Sequence, residues 1–153
     1  MSAPGRDAAL DEIERDIRAG GFEAAEKRAA GAARAHPESA RAQHLLGAAL
    51  HGQGKLDRAI ACYRKSAQLG GASAELHGDL GHALLEKGRP REALESFETA
   101  MRADPRDDRA CTGAATALRE AGDIVASRRM FQRALRLRVG NWLRAPFRRR
   151  GAR

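Results

Sequence analysis

The sequence of 153 residues predicts an all-α fold, a solenoid of stacked helix–turn–helix units with a 34-residue period. Three observations predict it. The stretch "GKLDRAIACYRKSAQLGG", from Gly54, returns 34 residues later as "GRPREALESFETAMRADP", from Gly88, and again as "GDIVASRRMFQRALRLRV", from Gly122. Alanine is abundant while aromatics are only 4%, a composition suited to helices that approach closely over a core of Ala and Leu. A single helix pair cannot bury its apolar face alone, whereas three or more stacked units can, so the repetition has a folding reason.

Taken in order, residues 1–5 are expected to be disordered. A degenerate first unit covers 6–39, and full units follow at 40–73, 74–107 and 108–141. Residues 142–153 form an Arg-rich cap or tail. Gly20, Gly54, Gly88 and Gly122 each follow a helical pattern. A left-handed residue there closes a tight turn without a steric penalty. Pro37 and Pro105 stop the second helix of a unit. Ser39 and Ser73 then stand as N-caps for the next first helix. Gly47, Gly81 and Ala115, with Ala25, Ala59, Ala93 and Ser127, keep the helices of each unit close. Tyr63, Phe97 and Phe131 are the large residues expected to fill the gap between neighbouring units. Ala93, Phe97 and Ala100 share one helical face.

These columns, as they stand in "LLGAALHGQGKLDRAIACYRKSA" and "LGHALLEKGRPREALESFETAMRADP", resemble the tetratricopeptide repeat over about Arg6 to Leu137. The family's usual Trp near the start of a repeat is replaced by Gln43, His77 and Cys111, where a looser contact between repeats is expected. The resemblance implies a right-handed superhelix and a non-catalytic scaffold. Its first helices would line a concave groove that accepts a partner's peptide or helix. By position, the groove presents Arg41, His44, Ala48 and His51, then Glu75, Asp79, His82 and Glu86, then Arg109, Thr112, Thr116 and Arg119. It is acidic in the middle repeat and basic or polar on either side. The carboxylate clamp of chaperone-binding members would fall on His44, Ala48, Asp79, Arg109 and Gly113, or in a second register on Leu10, Glu14, Leu45, Glu75 and Asp79. Only Arg109 suits a carboxylate, which argues against Hsp70 or Hsp90 tails.

His44, His51 and His82 are expected on this groove, with His82 and Glu86 able to meet at i, i+4. His44 and His51 lie two turns apart, about 10 Å of rise, too far for one metal without a third group. They are read as polar lining, with no metal and no cofactor. Falling pH should make the groove more positive and favour acidic ligands. The sequence contains no HExxH, P-loop, GxGxxG or GxSxG pattern, and Ser66, Ser96 and Ser127 have no paired base in view. The reading is therefore not an enzyme. Cys62 and Cys111 lack metal-ligand spacing and are read as buried free thiols of a reducing compartment, and His77 as core-facing. There is no apolar run of membrane-spanning length and no signal-peptide pattern, so the expected compartment is the cytoplasm. Richness in Ala, Arg and Gly suits a GC-rich bacterial source.

The net charge of +8 is concentrated. Seven arginines and no acid lie between Arg136 and Arg153, leaving 21 basic and 20 acidic residues elsewhere. In the expected cap, Trp142, Leu143 and Phe147 dock on the last helix pair while Arg144, Arg148, Arg149 and Arg150 stay solvated. The alternative makes this tail a peripheral anchor to an anionic membrane or, without any specific nucleic-acid motif, a salt-sensitive contact to nucleic acid. Self-association, or service as a regulatory or oligomerisation module for a separate enzyme, completes the alternatives.

Overall fold

The computed structural model describes residues 4–144, and side chains from 7 to 143. Eight helices follow one another within these residues: α1 (Pro4–Arg18), α2 (Phe22–Ala35), α3 (Ala40–Gly52), α4 (Leu56–Gln68), α5 (Ala74–Glu86), α6 (Pro90–Ala103), α7 (Asp108–Glu120) and α8 (Ile124–Arg144). No strand occurs among the described residues. Each helix packs on the next, and the first helices α1, α3, α5 and α7 also touch in series, as a solenoid requires.

The turns repeat with the sequence. Gly20, Gly54, Gly88 and Gly122 all have φ between 71° and 92°. The residue after each glycine of the full repeats donates back to a carbonyl five residues earlier: Lys55 to Leu50, Arg89 to Leu84 and Asp123 to Leu118. This is the Schellman closure, which satisfies carbonyls that the helix end leaves free. Ser39 and Ser73 accept from the amides of Ala42 and Leu76, and Asp107 caps α7 through Arg109 and Ala110. The prolines also act as stops, since α2 ends at Ala35 and α6 at Ala103, each two residues before its proline.

Glycine and aromatic columns interlock. A β-carbon added at Gly47 would lie 2.6 Å from the Tyr63 ring, and one at Gly81 would lie 2.7 Å from the ring of Phe97. Gly113, in the following repeat, also approaches the Phe97 ring, where a β-carbon would fall at 2.4 Å. Phe97 is thus clasped by two helices and is fully buried. Burial of such a ring contributes roughly 1.5–3 kcal/mol. The core continues from α3 to α8 through Leu50, Leu76, Leu84, Ala114 and Ala134. A second cluster, Leu10, Ile13, Ala25, Ala29, Leu45 and Ala49, joins α1, α2 and α3. Ala29 holds the aromatic position in this first repeat. Phe22 supplies a ring from the start of α2 instead, lying so close to Gly52 that a β-carbon there would be 2.4 Å away.

Ion pairs tie neighbouring repeats at similar separations, Arg41 to Asp11 and Glu14, Lys55 to Glu26, and Lys87 to Asp57, while Arg138 to Asp108 ties α8 to α7 within the last repeat. Most partners are well exposed, so each pair is worth about 0–1 kcal/mol.

Several expectations need correction. Helix α1 begins at Pro4, inside the stretch 1–5 expected to be disordered. Proline suits a first helical turn because its φ is preset and its missing N–H is not needed there. Phe131 does not fill a gap between units; it is 57% exposed. Ala115 stands where the preceding repeats have glycine, and no described helix follows α8 to cover the ring. The boundary placed between 141 and 142 falls within a helix, because α8 runs 21 residues without interruption. Val139 stands in the proline column and does not stop it. Cys62 is half-buried rather than buried, whereas Cys111 is fully enclosed beside Met101. Burial pushes both thiols up from their ordinary value.

Candidate functional site

The twelve residues placed on the groove all come from α3, α5 and α7. Within each helix they recur at three- or four-residue steps, so each set of four shares a face. They line a row of depressions running along the solenoid. The largest, about 600 Å³, lies between α1, α3 and α5, against Glu14, Ile17, Arg41, His44, Ala48, Glu75 and Asp79. His51 and Glu86 line the next, with Ala48 and Asp79 shared between the two. His82 and Arg109 border a third, together with Glu75 and Asp79. Thr112, Thr116 and Arg119 line a fourth, which opens between α7 and α8.

Several charged and titratable groups on this face already have partners. His44 Nε2 lies 2.8 Å from Asp79 Oδ2, and His51 Nε2 lies 2.9 Å from Glu86 Oε1. Both pairs join α3 to α5. Arg41 donates to Asp11 and Glu14 of α1, and the bond to Asp11 helps hold its guanidinium above the ordinary arginine value. A ligand carboxylate approaching His44 or His51 must therefore compete with a resident carboxylate. The groove reads as a series of cross-repeat hydrogen-bonded pairs more than as an acidic block between basic ones.

The expected contact between His82 and Glu86 is replaced. Glu86 reaches across to His51, while the His82 ring stands edge-on to Phe97, with centroids 5.0 Å apart. Desolvation pulls His82 below the ordinary histidine value of 6.5, against the opposing pull of Asp79. His44 and His51 instead stand edge-on to Tyr63, at 5.7 and 6.3 Å. Burial pushes the Tyr63 phenol far up, so it serves as a neutral floor beneath the two pairs. His77 is half-buried and is likewise lowered, first by burial and then by Arg102. Sequence reasoning missed the histidine–carboxylate pairs. Their common separation of 35 residues, one more than the period, was the available signal.

At the far end, Trp142 is 75% exposed and Leu143 69% exposed, so neither docks on the last helix pair as the expected cap requires. They continue an outward face of α8 with Ile124, Phe131, Leu135 and Val139, all more than half exposed or close to it. Arg144 is the last described residue; Phe147, Arg148, Arg149 and Arg150 lie outside the described residues. No described helix is long and apolar enough to cross a membrane.

Models of the tetratricopeptide repeat match residues 40–106 and 79–142. The chain belongs to the tetratricopeptide repeat family. Among solved structures, this tetratricopeptide repeat chain is similar to a crystal structure of MamA, with a TM-score of 0.82 and 20% identity over 90% of this chain and 81% of that one. The MamA RS-1 ArsTM double mutant gives 0.79 at 22% identity, covering 90% and 77%. At these identities the likeness shows the fold. An O-GlcNAc transferase from Thermobaculum terrenum gives 0.70 at 26% identity over 77% of this chain, but only 23% of its own length. No curated protein matches the chain in sequence.

Proposed function

We propose that this tetratricopeptide repeat chain is a non-catalytic scaffold that binds a peptide or helix of a partner protein along the α3–α5–α7 face. One observation carries the reading: the row of depressions running along a single face of three stacked helices, with the largest bordered by Arg41, Glu75 and paired Asp79. The cross-repeat pairs hold neighbouring first helices in register, so little ordering remains to be done when a ligand arrives. The ligand that suits this face brings apolar side chains to Ile17 and Ala48 and a basic group to Glu75. It does not need a terminal carboxylate, since His44 and Asp79 already satisfy each other, and so Hsp70 and Hsp90 tails are disfavoured. No paired nucleophile and base supports catalysis on this face.

The test is affinity capture with the full chain and with a Glu75→Lys, Asp79→Lys variant, after thermal melts show both folded. A defined partner retained by the first and lost by the second is the expected result. A partner held equally by both moves the binding surface away from this groove.

A further inference from the structure

The outward face of α8 carries a second exposed surface, which adjoins the face of α3, α5 and α7 at the depression between α7 and α8. Phe131, Leu135, Val139 and Trp142 form an apolar stripe on it, between 50% and 75% exposed. Their spacing of four, four and three residues keeps them on one side of the helix. Ordinary surface leucines are scattered; a contiguous stripe of this kind marks a contact waiting for a partner.

The rest of the molecule shows what such a face takes. In the preceding repeat, the equivalent of Phe131 is Phe97, and α7 lies across it with Gly113 against the ring. The repeat before that has Tyr63 buried under the same arrangement of α4 and α5. A second helix in this solenoid is therefore covered by the first helix of the next unit. Beside α8, the depression of about 350 Å³ between Thr112, Thr116, Ile124 and Phe131 lies where that next helix would run. No described helix occupies it.

Charge narrows the occupant. Helix α8 carries six arginines and no acid, and Arg128 and Arg136 are exposed along the stripe. A second α8 would bring like charge to the contact. Residues 145–153 bring four more arginines and no acid. The N-terminal helix α1 of another copy is acidic, but its large apolar residues Leu10 and Ile13 are already buried. The geometry points to an amphipathic helix from another protein, with an apolar stripe, a small residue opposite Phe131 and acidic residues opposite Arg128 and Arg136. It would extend the solenoid by one helix in trans, burying the stripe while pairing the arginines.

A probe can be cut from this chain itself. Residues 73–87 contain α5, the first helix that packs on α4 beside Tyr63, with Leu76, Leu80 and Leu84 on one side and three acids. A labelled 73–87 peptide is titrated into the full-length protein. It should bind at least tenfold more tightly than the same peptide with Glu75→Lys, Asp79→Lys and Glu86→Lys. Leu135→Glu with Val139→Glu, both at exposed positions that leave folding intact, should weaken binding at least tenfold. Arg128→Glu with Arg136→Glu should invert the preference between the two peptides. The groove variant of the protein should bind the peptide unchanged, which separates this surface from the proposed groove. Peptide binding that ignores Leu135→Glu and Val139→Glu overturns the inference. So does a dimer in solution that those substitutions dissolve, or a chain ending at 144 that binds tenfold better because 145–153 had occupied the face. Binding to phosphatidylglycerol vesicles through this stripe, with no peptide binding, would also overturn it and make the face a lipid surface.

Discussion

Phe97 and Phe131 occupy the same column one repeat apart and meet opposite fates. Phe97 is enclosed between Gly81 and Gly113, while Phe131 is 57% exposed above Ala115. The side chain is the same, so the difference lies in what faces it. Phe97 meets a glycine from its own unit and one from the next, and Tyr63 is buried with Gly47 alone; both have a following first helix packed on them, which Phe131 lacks among the described residues. In this family's architecture, burial of an aromatic is a property of three helices at once.

The comparison is broken most severely by truncation. Phe97→Ala should cost about 3–5 kcal/mol, whereas Phe131→Ala should stay within about 0.5 kcal/mol. Urea denaturation of the two variants checks this, and equal losses would show that Phe131 is covered in solution. Next comes overpacking. Gly113→Ala forces a methyl to 2.4 Å from the Phe97 ring and should cost about 1–3 kcal/mol. The same change at solvent-facing Gly78, where nothing lies within 4 Å, should be neutral or stabilising. Thermal melts of the pair decide it. A smaller effect is expected from Ser73→Ala, which removes the cap on Leu76 and should cost about 1 kcal/mol.

The smallest expected effect is a pH slope. Burial holds His82 and His77 below 6.5 in the fold, so in mildly acid solution the unfolded chain binds more protons. Their contribution therefore makes stability rise with pH across the window between the folded value and 6.5. It is lost as pH falls through that window and changes no further below it. Denaturation midpoints from pH 7.5 to 5 should fall, and His82→Gln should flatten the decline. A decline unchanged by His82→Gln would assign the slope to other groups.

Much of the fold was legible in the sequence because its columns are local. Gly54, Gly88 and Gly122 announce left-handed turns, and Ser39 and Ser73 announce caps, through bonds that span only a few residues. The twelve positions on α3, α5 and α7 follow from helical spacing, and the structure distributes them along one row of depressions. Less legible was what those residues do to one another. That Glu86 would choose His51 over His82 depends on how far each repeat is rotated from the last, which a column of letters does not contain. The open face of α8 was hidden for a similar reason. Phe131 matches its column, and only the change from glycine to Ala115 distinguished it. The length of α8 was misjudged because Val139 lacks the stopping power of Pro105.

The ties between repeats set the reach of every interaction in the molecule. Among the described residues, no hydrogen bond joins groups more than 35 positions apart. The loops that must close during folding are therefore short, and their entropic cost grows only slowly with length. Such a chain behaves like a zip, in which any well-formed pair of helices can seed its neighbour and propagate in either direction. A pull applied to its two ends would open it one tooth at a time, and each released unit would find its place again without waiting for the far end.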